Sequence, residues 1–373
     1  MAIYHLSAKI VSRKEGRSVV AAAAYRAGAE LYDHHIGQTF DYTRKAGVAH
    51  TEILAPAESP SWIHDRESLW NTVEDVERRK DAQLAREIEI GLPVELTKQR
   101  QVELTRDFAQ RTFVSKGMVA DIALHRDNRE NPHAHLLLTF RDLTPQGFGA
   151  KRRDWNAREE LMKWREQWAE VTNEHLLRAG LEIRIDHRTL EAQGIDLLPG
   201  RKLGLSAERQ RHPDLPRSLA ERIAEQHEIA AENGRRILER PRLALRALRH
   251  SQVTFTDHDI AKYLNGRTHG PDQFNAAYLK VTTSPDLVGL GIDEHGQTRF
   301  TTPELPNHQV LIDIEMIQQN AAERWQAKQR AQELGLPSDA HATAAHQKEQ
   351  EHEGNSLERN PHAHRGPEDD LEI

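Results

Sequence analysis

His125-Arg126-Asp127-Asn128-Arg129-Glu130-Asn131-Pro132-His133-Ala134-His135, running on into Leu136-Leu137-Leu138-Thr139-Phe140, decides how this chain is read. An apolar run entered through Asn-Pro predicts a strand that starts from a turn, because Pro132 confines Asn131 to extended backbone. Side chains alternate along a strand. His133 and His135 therefore project from one face, roughly 6 to 7 Å apart, while Ala134, Leu136 and Leu138 project from the other. His125 ends the preceding apolar run, Met118 to Leu124, so a hairpin through residues 126–132 returns it beside the pair. Three neutral imidazoles leave coordination positions open, which is the pattern of a catalytic rather than a closed structural metal site. The competing reading, polar residues that merely end two strands, suits any one histidine better than it suits all three.

Composition sets the frame around this hairpin. The chain has 373 residues, enough for two or three domains, and no cysteine, which removes disulfides, thiolate catalysis and cysteine-type zinc or iron–sulfur sites. Neither a run of 18 apolar residues nor a leader pattern is present, so no membrane insertion and a cytoplasmic location are expected. The net charge of −7 is unevenly spread, since residues 341–373 carry three Lys/Arg against eight Asp/Glu. The body is close to neutral. Basic side chains gathered on one face of it still suit nucleic acid.

From the N-terminus, Ile3 to Val11 alternates as a strand, with Tyr4, Leu6, Ala8 and Ile10 on one side. Ser18 then caps a helix over 19–30 whose single aromatic is Tyr25. The helical neighbours of Tyr25 are Ala21, Ala22, Gly28 and Ala29, all small. Such a clearing fits either an accessible nucleophile or a core tyrosine on a helix pressed against a sheet, and spacing alone does not choose. Glu87 and Glu89, two apart in an expected strand, share a face.

The opening Ile-Tyr-His-Leu-Ser, the segment Ser18 to Gly28, Asp41 to Lys45, Leu84 to Pro93 and the His125…His135 stretch together resemble the MobA/MobL family of plasmid conjugative relaxases, over roughly residues 1–200. The resemblance implies an α/β (α+β) fold, a two-layer antiparallel sheet with flanking helices of the HUH relaxase type. It implies that Tyr25 is the catalytic tyrosine, that His125, His133 and His135 hold one divalent metal ion, Mg2+ or Mn2+, and that Glu87 serves the site, for example by accepting a ligand histidine's second N–H. The implied activity is site- and strand-specific nicking of plasmid DNA at an origin of transfer through a 5′-phosphotyrosyl intermediate, with relaxosome accessory proteins and a type IV secretion coupling protein as partners. Alternatives are a rolling-circle replication initiator, a small-molecule metallohydrolase and a non-enzymatic DNA-binding accessory protein. Tyr42 is the rival nucleophile.

Lys151-Arg152-Arg153 beside Trp155 suits the phosphates and unstacked bases of single-stranded DNA, and Arg44 and Lys45 add two further cations for DNA. Trp164 and Trp168 fall with Leu161, Val171 and His175 on one helical face and are expected in the core. Helices are also expected over 65–76 and 96–114. Beyond the relaxase region (1–200) we expect a helical linker (201–250), broken at Gly234 and Pro241, and a small mixed α/β domain (251–310), winged-helix-like in one reading. Short strands are expected there at Tyr278 to Thr282, Asp286 to Gly291 and Gln297 to Thr301. A helical then disordered acidic, His-rich tail (311–373) follows. That tail repeats Asn-Pro-His-Ala-His at residues 360–364, but continues into Arg-Gly-Pro-Glu-Asp-Asp, which cannot form the buried strand that the first copy leads into.

Overall fold

A computed structural model describes residues 4–200, 217–293 and 296–303. The expectations for residues 311–373, including the second Asn-Pro-His-Ala-His, lie outside the described residues, as do those for 201–216. Strands β1 (Leu6–Ser12), β4 (Val48–Leu54), β5 (Gln83–Gly91), β6 (Ala120–His125) and β7 (His133–Leu138) form one antiparallel sheet in the order β1-β5-β7-β6-β4. The hairpin of β6 and β7 has His125 directly opposite His133 and Leu124 opposite Ala134. The register follows from the pattern, because one face of each strand must be buried.

One face of this sheet, carrying Ile88, Ile90, Ile122, Leu124, Ala134, Leu136 and Leu138, packs on helices α3 (Lys98–Thr112) and α4 (Arg158–Arg178). Trp164 and Trp168 lie in that core as expected, with Phe108 against Trp168 at 4.9 Å between centroids. The opposite face receives α1 (Val19–Ala27) and α2 (Arg66–Val76) around Val20, Ala24, Leu69, Trp70 and Leu137. The antiparallel sheet is thus flanked by helices on both sides. Asp121 locks α2 to β6, accepting from Arg66 at 2.8 to 3.1 Å and from the Trp70 indole at 2.9 Å.

Two short hairpins, β2 (Glu30–Asp33) with β3 (Gln38–Asp41) and β8 (Arg141–Thr144) with β9 (Gly147–Lys151), stand beside the sheet. Gly47, at φ 88, is required where the chain returns from β3 to β4, since a Cβ there would sit 2.6 to 2.9 Å from Asp127.

A second core gathers helices α5 (Arg217–Glu239), α6 (Arg242–Ser251), α7 (Asp257–Asn265) and α8 (Gly270–Thr282) with a small sheet, β10 (Phe255–Thr256), β11 (Val288–Ile292) and β12 (Thr298–Thr301), ordered β10-β12-β11. The helix pair expected to link domains contributes Ile237, Leu243, Leu245 and Leu248 to this core. Gly234 sits inside α5, and the chain breaks only at Arg240-Pro241. Residues 278–282 close α8 instead of forming a strand: Pro271 opens that helix, and Ala277 and Val281 bury at helical spacing. The two cores meet along a strip of backbone pairing, with Arg184 N–H donating to Ser251 and Val253 N–H to Glu182. Among the described residues no helix is long and apolar enough to cross a membrane.

Candidate metal and nucleophile centre

The alternation that buries Ala134, Leu136 and Leu138 turns His133 and His135 toward the helix α1 side. The register adds His125 from β6. The three rings lie 4.8 to 5.3 Å apart between centroids, and one ligand atom of each lies within 4.8 Å of the other two. Each ring also spends one nitrogen on a protein oxygen: His125 Nε2 on Arg26 O at 2.7 Å, His133 Nδ1 on Asn131 O at 3.0 Å, and His135 Nδ1 on Glu87 Oε1 at 2.8 Å. An oxygen acceptor calls for the N–H at that nitrogen, which leaves a lone pair on the other. This donor set fits a divalent ion.

Burial, reinforced by Lys45 and the two other imidazoles, pushes His125 down to about 4, against the favourable Arg26 carbonyl. It is therefore a neutral donor at physiological pH, as a metal ligand must be. Burial would raise Glu87, but hydrogen bonds from His135 and Arg26 hold it down to about 2. Glu89 is held at about 2 by His5, whose Nε2 lies 3.3 Å away, against partial burial. His125 takes up a proton more readily when unfolded, so the metal-free protein should lose stability as pH falls from about 6.5 toward 4, and Glu87 adds loss from about 4.5 toward 2. Thermal melts across that range check this, and a flat profile between pH 6.5 and 4 would count against the buried neutral His125.

Tyr25 is half exposed, so the core reading of its clearing fails. It stands in the last turn of α1, which ends at Gly28 in the left-handed conformation. The next residue, Arg26, ties that turn to the histidine-bearing face twice. Its carbonyl receives His125, and its guanidinium grips Glu87 through Nε at 2.9 Å and Nη2 at 2.6 Å. Sequence reading missed Arg26. A helix-borne arginine beside Tyr25 was the only signal, and its partner lies 61 residues away.

The expected DNA contacts divide. Arg44 is exposed on the turn after β3, whereas Lys45 points its ammonium at Tyr25. The Lys151–Arg153 cluster is not brought to the histidines. Lys151 donates to Gln83 O at 2.6 Å, near the end of β5 remote from Glu89, which is about 20 Å from the triad at the rise of a strand. Its charge pairs with Glu77 at 2.9 Å, Arg152 pairs with Asp142 and Asp154, and Arg153 is exposed. Trp155 is 2% exposed and belongs to the core, so the expected stacking of bases on it is corrected. On this geometry, Lys151→Ala with Arg152→Ala should leave the slope of log K for single-stranded DNA against log salt unchanged. Arg153→Ala should lower it by about 0.7, the increment for one phosphate contact. A drop of about 1.4 in the double variant would overturn that division.

Three imidazoles converge from a hairpin, one held by a buried carboxylate and one by the end of a helix that bears an exposed phenol, and together they could hold a metal ion beside a nucleophile candidate. The sequence profile of the MobA/MobL family matches residues 17–212, just over half of the chain, and the chain belongs to that family. Conjugal transfer protein TraA of Agrobacterium fabrum is 38% identical over 327 residues, covering 79% of this chain and 30% of the relative. Mobilization protein MobL of Acidithiobacillus ferridurans is 38% identical over 267 residues, covering 60% of this chain and 70% of the relative. A solved structure from work on the molecular basis of vancomycin resistance transfer in Staphylococcus aureus aligns over 50% of this chain and 100% of its own at 38% identity, with a TM-score of 0.47. The chain spans about a third of the length of the TraA relatives.

Proposed function

We propose that this chain is a relaxase, nicking one strand of plasmid DNA at an origin of transfer and holding the cut end through Tyr25. The observation that carries the reading is the double use of Arg26, which fixes the residue next to Tyr25 onto His125 and Glu87. Tyr25 presents its phenol oxygen to the scissile phosphorus. The Tyr25 oxygen–phosphorus bond forms as the bond to the 3′-oxygen breaks, the phenol proton is released, and the 3′-oxygen leaves as a hydroxyl. The phosphotyrosyl ester keeps the energy of the phosphodiester, so a 3′-hydroxyl can reverse the reaction and reseal the strand. His125, His133 and His135 would hold a divalent ion, which supplies Lewis-acid charge to the non-bridging oxygens of the phosphate. Glu87 fixes the His135 tautomer and orientation. Imidazole donors favour Mn2+ over Mg2+, which prefers oxygen ligands and sheds water reluctantly. Arg44 and Arg153 are the exposed cations of the expected DNA set. Relaxosome proteins and a secretion coupling protein are the partners this role calls for.

Incubation with labelled oligonucleotides tiled over the transfer origin of the protein's own plasmid should give a covalent protein–DNA adduct. Chelation should abolish it and Mn2+ restore it. Adducts only with replication-origin DNA would favour a rolling-circle initiator. Metal-dependent hydrolysis of small esters without any adduct would favour a metallohydrolase, and DNA binding with neither would leave an accessory protein.

A further inference from the structure

Helix α1 ends with carbonyls that no further turn of helix can satisfy. Ala24 O accepts from the backbone of Gly28 and Ala29, and Arg26 O accepts from His125. Between them, Tyr25 O accepts from Lys45 Nζ at 3.0 Å. The same ammonium lies 3.8 Å from the centroid of the Tyr25 ring, and the Tyr42 ring meets that ring edge-on at 5.2 Å and 89°. On its own helix Tyr25 has only alanines and Gly28 as neighbours, so nothing there fixes its two side-chain torsions.

The turn that supplies both contacts is itself held. Tyr42 N–H donates to Ala29 O, Lys45 N–H to Tyr42 O, and Thr43 N–H to Asp41 Oδ1, while Arg126 N–H donates to Gly47 O. Gly47 packs directly on Asp127, in the loop that joins two of the metal-site strands. An ammonium so placed favours a helix C-terminus and the electron-rich ring face alike.

We propose that the turn from Tyr42 to Lys45 is a clamp for the Tyr25 ring, and that Lys45 is a positioning residue for the attacking phenol and not a phosphate contact. This rests on the reading of Tyr25 as nucleophile. Tyr42 sets the tilt of the ring by its edge contact, and Lys45 sets its height above the end of the helix. Tyr42, from sequence the rival nucleophile, becomes part of the support.

The test compares Lys45→Met, which keeps the stem and removes the charge, with Lys45→Arg. With the oligonucleotide that forms the adduct and Mn2+, Lys45→Met should cut the single-turnover rate at saturation by about 100-fold, the scale of a small misplacement of a reacting group. Affinity for the DNA and its salt slope should be unchanged, and Lys45→Arg should recover most of the rate. A salt slope lowered by about 0.7 with an unchanged saturating rate would make Lys45 a phosphate contact and overturn the clamp. An unchanged saturating rate with an unchanged salt slope in Lys45→Met would overturn it too. Cleavage that persists in Tyr25→Phe would instead remove the nucleophile reading, independently of either result.

Discussion

Tyr25→Phe should bind origin DNA as tightly as the wild type and fail to cut it, with the rate falling by at least about 10^4-fold, as when the nucleophile of a hydrolase is deleted. The substitution removes a single oxygen from a side chain that is 51% exposed, so folding should be untouched. Both anchors of the helix end survive, because Lys45 and His125 donate to the backbone carbonyls of residues 25 and 26. Denaturing gels after incubation with labelled DNA would measure the adduct. An adduct of wild-type yield in this variant would move the nucleophile elsewhere, with Tyr42 the first residue to examine.

The second large effect is expected at Glu87. This carboxylate receives the Arg26 guanidinium and the His135 imidazole while only 7% exposed, so Glu87→Ala leaves a largely buried arginine without its counter-charge and frees His135 to turn. Loss of such a support for a ligand histidine costs about 10- to 100-fold in metal affinity. Calorimetric titration with Mn2+ would read that shift. Glu87→Gln, which keeps an acceptor for His135 but loses the charge, should fall between the two. An affinity equal to the wild type in Glu87→Ala would show that His135 needs no carboxylate to be a ligand. Glu89 is the internal comparison. It shares the face but pairs with His5, so Glu89→Gln should change metal affinity less.

The triad was legible because strand alternation and one Asn-Pro turn fix which way three side chains point, and those are local rules. Alternation placed Glu87 and Glu89 on one face alike, and only the family resemblance singled out Glu87. The role of Arg26 was not legible, because it depends on which strand lies under a helix end, a relation between residues 26 and 87 that no periodicity carries. The ion pairs that engage Lys151 and Arg152 in the basic loop were not legible for a related cause. A run of cations looks free until Glu77 and Asp142 fold against it, although Asp154, two residues from Arg152, lay in plain view. Tyr278 to Thr282 has β-favouring side chains, yet Ala277 and Val281 dock on the helical core, and packing outweighs propensity there.

The pairing of His125 opposite His133 also bears on how the chain finds its fold. A slip of one residue along β7 would drive two imidazoles into the apolar core and bring Ala134 and Leu136 out to the metal face. No ion could be gripped in that misthreaded state. An ion that binds only the correct threading stabilises it by about 2.7 kcal/mol at a concentration 100-fold above its Kd. An ion held by the three histidines would then act as a proofreader of β-strand assembly, rewarding one alignment of the hairpin over its nearest competitor.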